Sequence, residues 1–237
     1  MLGIARTAAA SRWWNIDTNS YNVPGALTDD TNTALLMKFE GNFNDSNTSG
    51  RTAKTMSTAD SPTTTSSVVK YGTQSLSIPA STTVLPRVYT QSAISDFYWY
   101  AQDFTVETWV YTTSFSDQQF DSGSNNIPKL MGNTTSNDYS WAFGFRNDAK
   151  LAFWYWNGSG QQVLSTTTFA TNTWHHIVMD FRVSDGRIRV GANGAWLVTA
   201  TKSGTPATGN QFTMGSVRLN SPQFYLDDLR VSKILRY

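Results

Sequence analysis

Between Phe104 and Thr112 the chain reads Phe-Thr-Val-Glu-Thr-Trp-Val-Tyr-Thr, an almost unbroken run of β-branched and aromatic residues. Side chains alternate across a strand, so Phe104, Val106, Thr108 and Val110 share one face while Thr105, Glu107, Trp109 and Tyr111 share the other. Both faces carry apolar bulk. This pattern predicts a strand in the middle of a sandwich, with one face on a second sheet and the other under loops or forming a concave binding surface.

Further strands are predicted at Ala34–Glu40, Val68–Tyr71, Gln74–Ile78, Ile127–Met131, Ser140–Arg146, Lys150–Trp156, Val163–Thr168, Trp174–Val183, Arg187–Gly191, Ala195–Ala200 and Phe224–Ser232. Asn147-Asp148 and Asp185-Gly186 supply hairpin turns. From Thr48 to Ser67 the chain is nearly all small and hydroxyl-bearing, which predicts an exposed loop or a weak edge region. No segment holds a helical period. Short strands separated by turn signals, with no repeat of fixed length, predict an all-β fold, a two-sheet antiparallel sandwich or a barrel.

Residues 1–33 lack this patterning and include the pair Trp13 and Trp14. They predict an N-terminal arm, distinct from a domain over residues 34–237, that lies on something else. The tryptophans either dock on a partner or pack back on their own domain.

Composition narrows the function. The 237 residues carry a formal net charge of +1 with only 15% charged residues, which gives no electrostatic reason to bind nucleic acid. There is no Cys, so neither disulfides nor thiolate metal sites can hold the fold. Arg6 interrupts what would be the apolar core of a signal peptide, and no apolar run is long enough to insert in a membrane. The expectation is synthesis in a cytoplasm without export by a signal.

Five segments occur in a telling order: Leu35 to Gly41 with Asn44-Asp45 after it, Tyr71 to Leu76, Asp103 to Val110, Thr173 to Ile177, and Tyr225 to Val231 with a closing Arg236-Tyr237. In this order they resemble the laminin-G-like jelly rolls of the concanavalin A-like lectin/glucanase group, from about Leu35 to the C-terminus. The resemblance implies a jelly roll whose first and last strands are neighbours in one sheet. It extends to domains in structural and host-recognition proteins of tailed bacteriophages. That implies a virion protein made in the host cytoplasm, a capsid decoration or a tail or fibre component, joined to other virion proteins through the arm and touching host surface glycans. A free carbohydrate-binding lectin and a glycan hydrolase are the alternatives. A homo-oligomer stays open, although no heptad pattern supports a coiled-coil trimer.

Candidate residues follow. Glucanases of this group carry Glu-x-Asp-x-x-Glu on one strand, whereas the only glutamates here, Glu40 and Glu107, begin no such pattern, so no catalytic residue is assigned. Exposed aromatics stack on the C–H faces of sugars, which nominates Tyr98 and Trp99, with Glu107 as either a polar sugar contact or a structural carboxylate. His175 and His176 point to opposite faces and cannot share one metal. The resemblance implies a structural calcium at Asn44, Asp45, Asp227 and Asp228; the other reading is that these residues cap turns and tie strands together.

Overall fold

The computed structural model describes residues 19–91, 95–115, 127–128, 130–134, 139–215 and 223–237. Strands occupy β1 (Thr33–Met37), β2 (Met56–Ala59), β3 (Thr63–Thr65), β4 (Ser75–Ile78), β5 (Arg87–Thr90), β6 (Phe104–Thr112), β7 (Met131–Thr134) and β8 (Tyr139–Phe145). They continue as β9 (Lys150–Trp156), β10 (Gly160–Thr168), β11 (His175–Arg182), β12 (Arg187–Ala192), β13 (Ala195–Thr201), β14 (Gln211–Gly215) and β15 (Phe224–Ser232). Two antiparallel sheets result. One runs β13-β12-β11-β6-β15-β4-β3, with β1 also on β15; the other runs β10-β9-β8-β7-β14-β5-β2. The protein is thus an all-β jelly-roll sandwich, and its first and last strands are paired.

The sandwich core takes one face of each alternating strand. Phe104, Val106 and Val110 of β6 meet Met131, Trp141, Phe143 and Phe153 of the opposite sheet, all fully or almost fully buried. Strand β6 lies between β11 and β15, so its other face points outward from the sandwich. That outward face also carries much of the bulk of the sheet, as the double-sided pattern requires.

Several local expectations fail for identifiable reasons. Val68–Tyr71 forms no strand, because the N–H groups of Lys70 and Tyr71 donate to the Asp227 carboxylate instead of a ladder. The hydroxyl-rich stretch does take the form of an edge region, contributing the edge strands β2 and β3, while β5 and β14 are short and were not foreseen. Asp96–Tyr100 folds into two 3-10 turns that send Trp99 between the sheets, against Phe153, Tyr155 and Phe181. Residues 19–32 are not a free arm. They cross the outward face of the eight-stranded sheet as a strap, beginning with a bridge from Ser20 to Ala195 and continuing to Leu27, whose N–H donates to Asp228. Trp13 and Trp14 lie outside the described residues.

One irregularity positions the site. In β15 the register shifts between Asp227 and Arg230, with Asp228 in the left-handed region at φ 47°. An Asp tolerates this backbone better than most side chains. The bulge lets Asp227 and Arg230, three residues apart, both face outward toward Trp109 and Glu107 of β6. In a regular strand they would point to opposite sides.

Candidate functional site

The outward face of the eight-stranded sheet divides into a covered half and an open half. In the covered half Glu107 is fully buried. Its Oε1 accepts from Arg230 Nε at 2.9 Å and Nη2 at 2.6 Å, and its Oε2 accepts from the Tyr237 hydroxyl and faces His176 Nε2 at 3.2 Å. The Tyr21 hydroxyl of the strap lies 3.2 Å from His176 Nδ1. The network closes when Nε2 carries the proton and Nδ1 accepts from Tyr21. Arg230 also donates to the Thr28 carbonyl.

Burial alone would raise the Glu107 carboxyl, but the His176 hydrogen bond, the Arg230 charge and the Tyr237 hydroxyl outweigh it and hold the group below its ordinary value. The Tyr21 and Tyr237 hydroxyls are pushed up, first by burial and also by the Glu107 charge. Beside them Asp180 pairs with Arg189, whose guanidinium stacks 3.9 Å from the Trp196 ring and donates to the Tyr237 carbonyl. The Glu107 network and the Asp180–Arg189 pair are thus met from within, while Arg187, two residues from Arg189 on β12, keeps a buried Nε with no hydrogen-bond partner among the described residues.

The open half lies one pleat further along the same strands. Tyr225 of β15 pairs in register with Tyr111 of β6, and Trp174, just before β11, contacts Tyr111 from the other side. The ring centroids are 5.6 Å apart for Tyr111 and Trp174, and 5.8 Å for Tyr111 and Tyr225. All three are half-buried, unlike the core aromatics. Amides rim the row: Asn172 accepts from the Tyr111 hydroxyl, and Gln223 donates to the Tyr225 hydroxyl. At the boundary between the halves sit Trp109 and Asp227, in register with each other. Lys70 Nζ stands 4.0 Å from the Trp109 ring and Tyr71 packs edge-on against it.

The residues nominated from sequence are placed differently. Trp99 is completely buried, so its ring cannot receive a sugar in this arrangement, and Glu107 is enclosed in its ion pair. Tyr98 is half-buried and stacks on Tyr100. Nothing here brings the three together as one surface.

The four oxygen donors do not form one metal site either. Both Asp45 oxygens accept from Arg51 at 2.5 Å. Asp228 Oδ1 faces Lys38 Nζ at 2.8 Å. Asn44 is exposed, and its backbone N–H donates to Asn42 Oδ1. Among the described residues no group of three or more His, Asp or Glu is placed to hold a metal ion. A hard cation at Asp45 or Asp228 would have to displace one of the protein's own cations, so these donors do not fit the group as they stand.

The open row escaped sequence reasoning because it is made by strand pairing. Alternation alone places Tyr111 on the face of Glu107 and Trp109. Only the register brings in Tyr225 and Trp174, from 114 and 63 residues away in the chain respectively.

This architecture, a jelly-roll sandwich with an aromatic row on one outward face, is of the lectin type. The model of the concanavalin A-like lectin/glucanases superfamily, Laminin_G_3, matches residues 86–236, and the chain belongs to that family. Among solved structures it is similar to the binding domain of Paraclostridial Mosquitocidal Protein 1, at TM-score 0.67 and 15% identity, over 87% of this chain and 50% of that one. The binding domain of Botulinum neurotoxin DC in complex with rat synaptotagmin II is similar at TM-score 0.64 and 12% identity, over 86% and 48%. Botulinum neurotoxin type C, described as entering cells by interaction with two ganglioside molecules, gives 0.63 and 12%, over 86% and 48%. The chain spans about half the length of these structures, and at such identities the likeness is one of fold. A search of the curated proteins gave no match. Among the described residues no helix is long and apolar enough to cross a membrane.

Proposed function

We propose that this chain is a non-catalytic, lectin-like recognition domain that binds carbohydrate on the open half of its eight-stranded sheet. The row Tyr111–Trp174–Tyr225 carries the reading: half-buried rings, contiguous across neighbouring strands, offer their faces to sugar C–H groups while the Asn172 and Gln223 amides supply rim hydrogen bonds. Similar folds in proteins described as binding gangliosides or a protein receptor support recognition as the class of function.

A glycosidase would need two carboxyl groups on either side of an accessible bond. Glu107 is sealed under the strap, which argues against that use. Display of the domain on a bacteriophage particle, toward host surface glycans and held by residues 1–18, is part of the same proposal. It rests on the resemblance of the closing motifs, and the strap that follows residue 18 starts at the outer edge strand β13.

A glycan array followed by calorimetry tests the binding. Y111A and W174A should each lower affinity for the bound glycan by about tenfold or more, since stacking contributes on the order of 1 kcal/mol or more per ring. Wild-type protein that binds no glycan, or variants that bind as well as wild type, would sink the reading.

A further inference from the structure

Trp109 and Asp227 face each other in register at the boundary of the two halves, and each holds a polar atom that finds nothing to bond with. Trp109 Nε1 and Asp227 Oδ1 are buried and have no hydrogen-bond partner among the described residues, although Asp227 is wholly buried and Trp109 is only 7% exposed. The remaining functions of both groups are satisfied. Asp227 Oδ2 accepts from the N–H groups of Lys70 and Tyr71, and the Trp109 ring packs against Tyr71, His176 and the Lys70 ammonium. A buried N–H and a buried carboxylate oxygen left open are each costly, so the pair calls for an occupant.

The occupant's chemistry is constrained. It must accept from an indole N–H and donate to a carboxylate oxygen. A metal cation cannot accept the indole proton and would sit beside the Lys70 charge, and a carbonyl or carboxylate cannot donate. A hydroxyl does both from one atom. The pair also lies two residues along both strands from Tyr225 and Tyr111, about 7 Å at strand spacing, within the footprint of one saccharide unit stacked on the open row.

We propose that Trp109 and Asp227 form a subsite for one hydroxyl of the carbohydrate that stacks on Tyr111, Trp174 and Tyr225. Lys70 covers it in the unliganded protein. This rests on the carbohydrate reading and adds to it where a sugar is gripped and by which two atoms. Lys70 is half-exposed on a flexible stem, so its ammonium can lift from Trp109 without disturbing the backbone N–H that donates to Asp227. Burial raises the Asp227 carboxyl to about 6, consistent with an acceptor that lacks compensation until a donor arrives.

The test uses the full chain, labelled with 15N in its indoles and titrated with single monosaccharides: galactose, glucose, mannose, fucose, N-acetylglucosamine, N-acetylgalactosamine and N-acetylneuraminic acid. W109F assigns the Trp109 resonance and removes the N–H together with the pyrrole ring that carries it, leaving an aromatic ring at the position. D227N keeps an acceptor for the Lys70 and Tyr71 amides while removing the charge. Whichever sugar binds should shift the Trp109 indole resonance, and W109F and D227N should each weaken it about tenfold, the loss expected for one hydrogen bond to a charged or desolvated site. One monodeoxy analogue of that sugar should lose affinity for wild type and not for W109F. Sugar binding at wild-type strength in W109F and D227N would mean that a structural water fills the gap: the subsite falls and the aromatic row stands. Should D227N misfold, W109F decides alone. If none of the sugars binds wild type, the subsite and the carbohydrate reading fail together.

Discussion

The covered and open halves of one sheet face are built from the same strands by the same alternation, yet they do opposite things with polarity. Under the strap, Glu107, Arg230, His176, Tyr237 and Tyr21 form a closed network. One pleat away the rings of Tyr111, Trp174 and Tyr225 remain half-exposed, and at the seam two buried polar atoms stay open. The difference lies in what covers the sheet, since residues 19–32 reach only one half. A buried charge is tolerated where every partner is supplied from within. At the seam the Asp227 carboxylate is met on one oxygen only, by the Lys70 and Tyr71 N–H groups, and its other oxygen is left open beside the aromatic row.

The sharpest way to break the comparison is to remove the centre of the closed half. E107A strands Arg230 in a buried position and should destabilise the protein by about 3–5 kcal/mol in urea unfolding, whereas Y111A on the open half should cost less than about 1 kcal/mol. Comparable losses would mean that the two halves are not distinct in this sense. Next in size is the strap. A chain starting at residue 31 should be less stable than one starting at residue 19 by on the order of 3 kcal/mol, because it exposes the Glu107 network and leaves Arg230 and Asp228 without Thr28 and Leu27. Particle incorporation is for the same reason best tested by a cut after residue 18. A cut after residue 33 would strip the domain as well as any attachment.

At the seam, Asp227 predicts a pH effect. Burial, with a smaller push from the Asp228 charge and against the Lys70 and Tyr71 hydrogen bonds, lifts its carboxyl to about 6. The folded protein therefore keeps a proton that the unfolded chain releases between about pH 4 and 6, and this group costs stability as pH rises through that window. D227N should accordingly gain on wild type by about 1–3 kcal/mol between pH 4 and 7. A constant difference across the range would show that Asp227 titrates normally. The smallest effect is expected from calcium. Melting temperatures with calcium and with a chelator should agree, because Arg51 and Lys38 already occupy Asp45 and Asp228; a clear rise with calcium would show that those pairs yield to the ion.

The sandwich was legible in the chain because alternation survives at the strands that build it, most plainly Phe104–Thr112 and Phe224–Ser232. Both appear with the expected bounds. The aromatic row and the seam beside it were not legible, for two physical reasons. Register is a long-range property, so nothing near Tyr111 announces Tyr225 or Trp174. The bulge at Asp228 then resets the alternation of β15 and turns Arg230 to the side of Asp227, which no period-two reading of Leu226 to Val231 would give. Trp99 failed for a related reason: a row of aromatics before a strand looks like an exposed loop, but two 3-10 turns aim its ring inward.

The pairing of β6 with β15 also has a kinetic side. Glu107 and Arg230 are 123 residues apart, and at about 5–20 residues per second a ribosome needs roughly 6–25 s to make the chain between them. For that interval Phe104–Thr112 is an apolar strand with one long edge unpaired, the kind of segment that adds to another copy of itself. The nascent chain therefore depends on its last strand to quench its most association-prone one, and stalled or shortened products should be recovered as aggregates rather than as partly folded monomers.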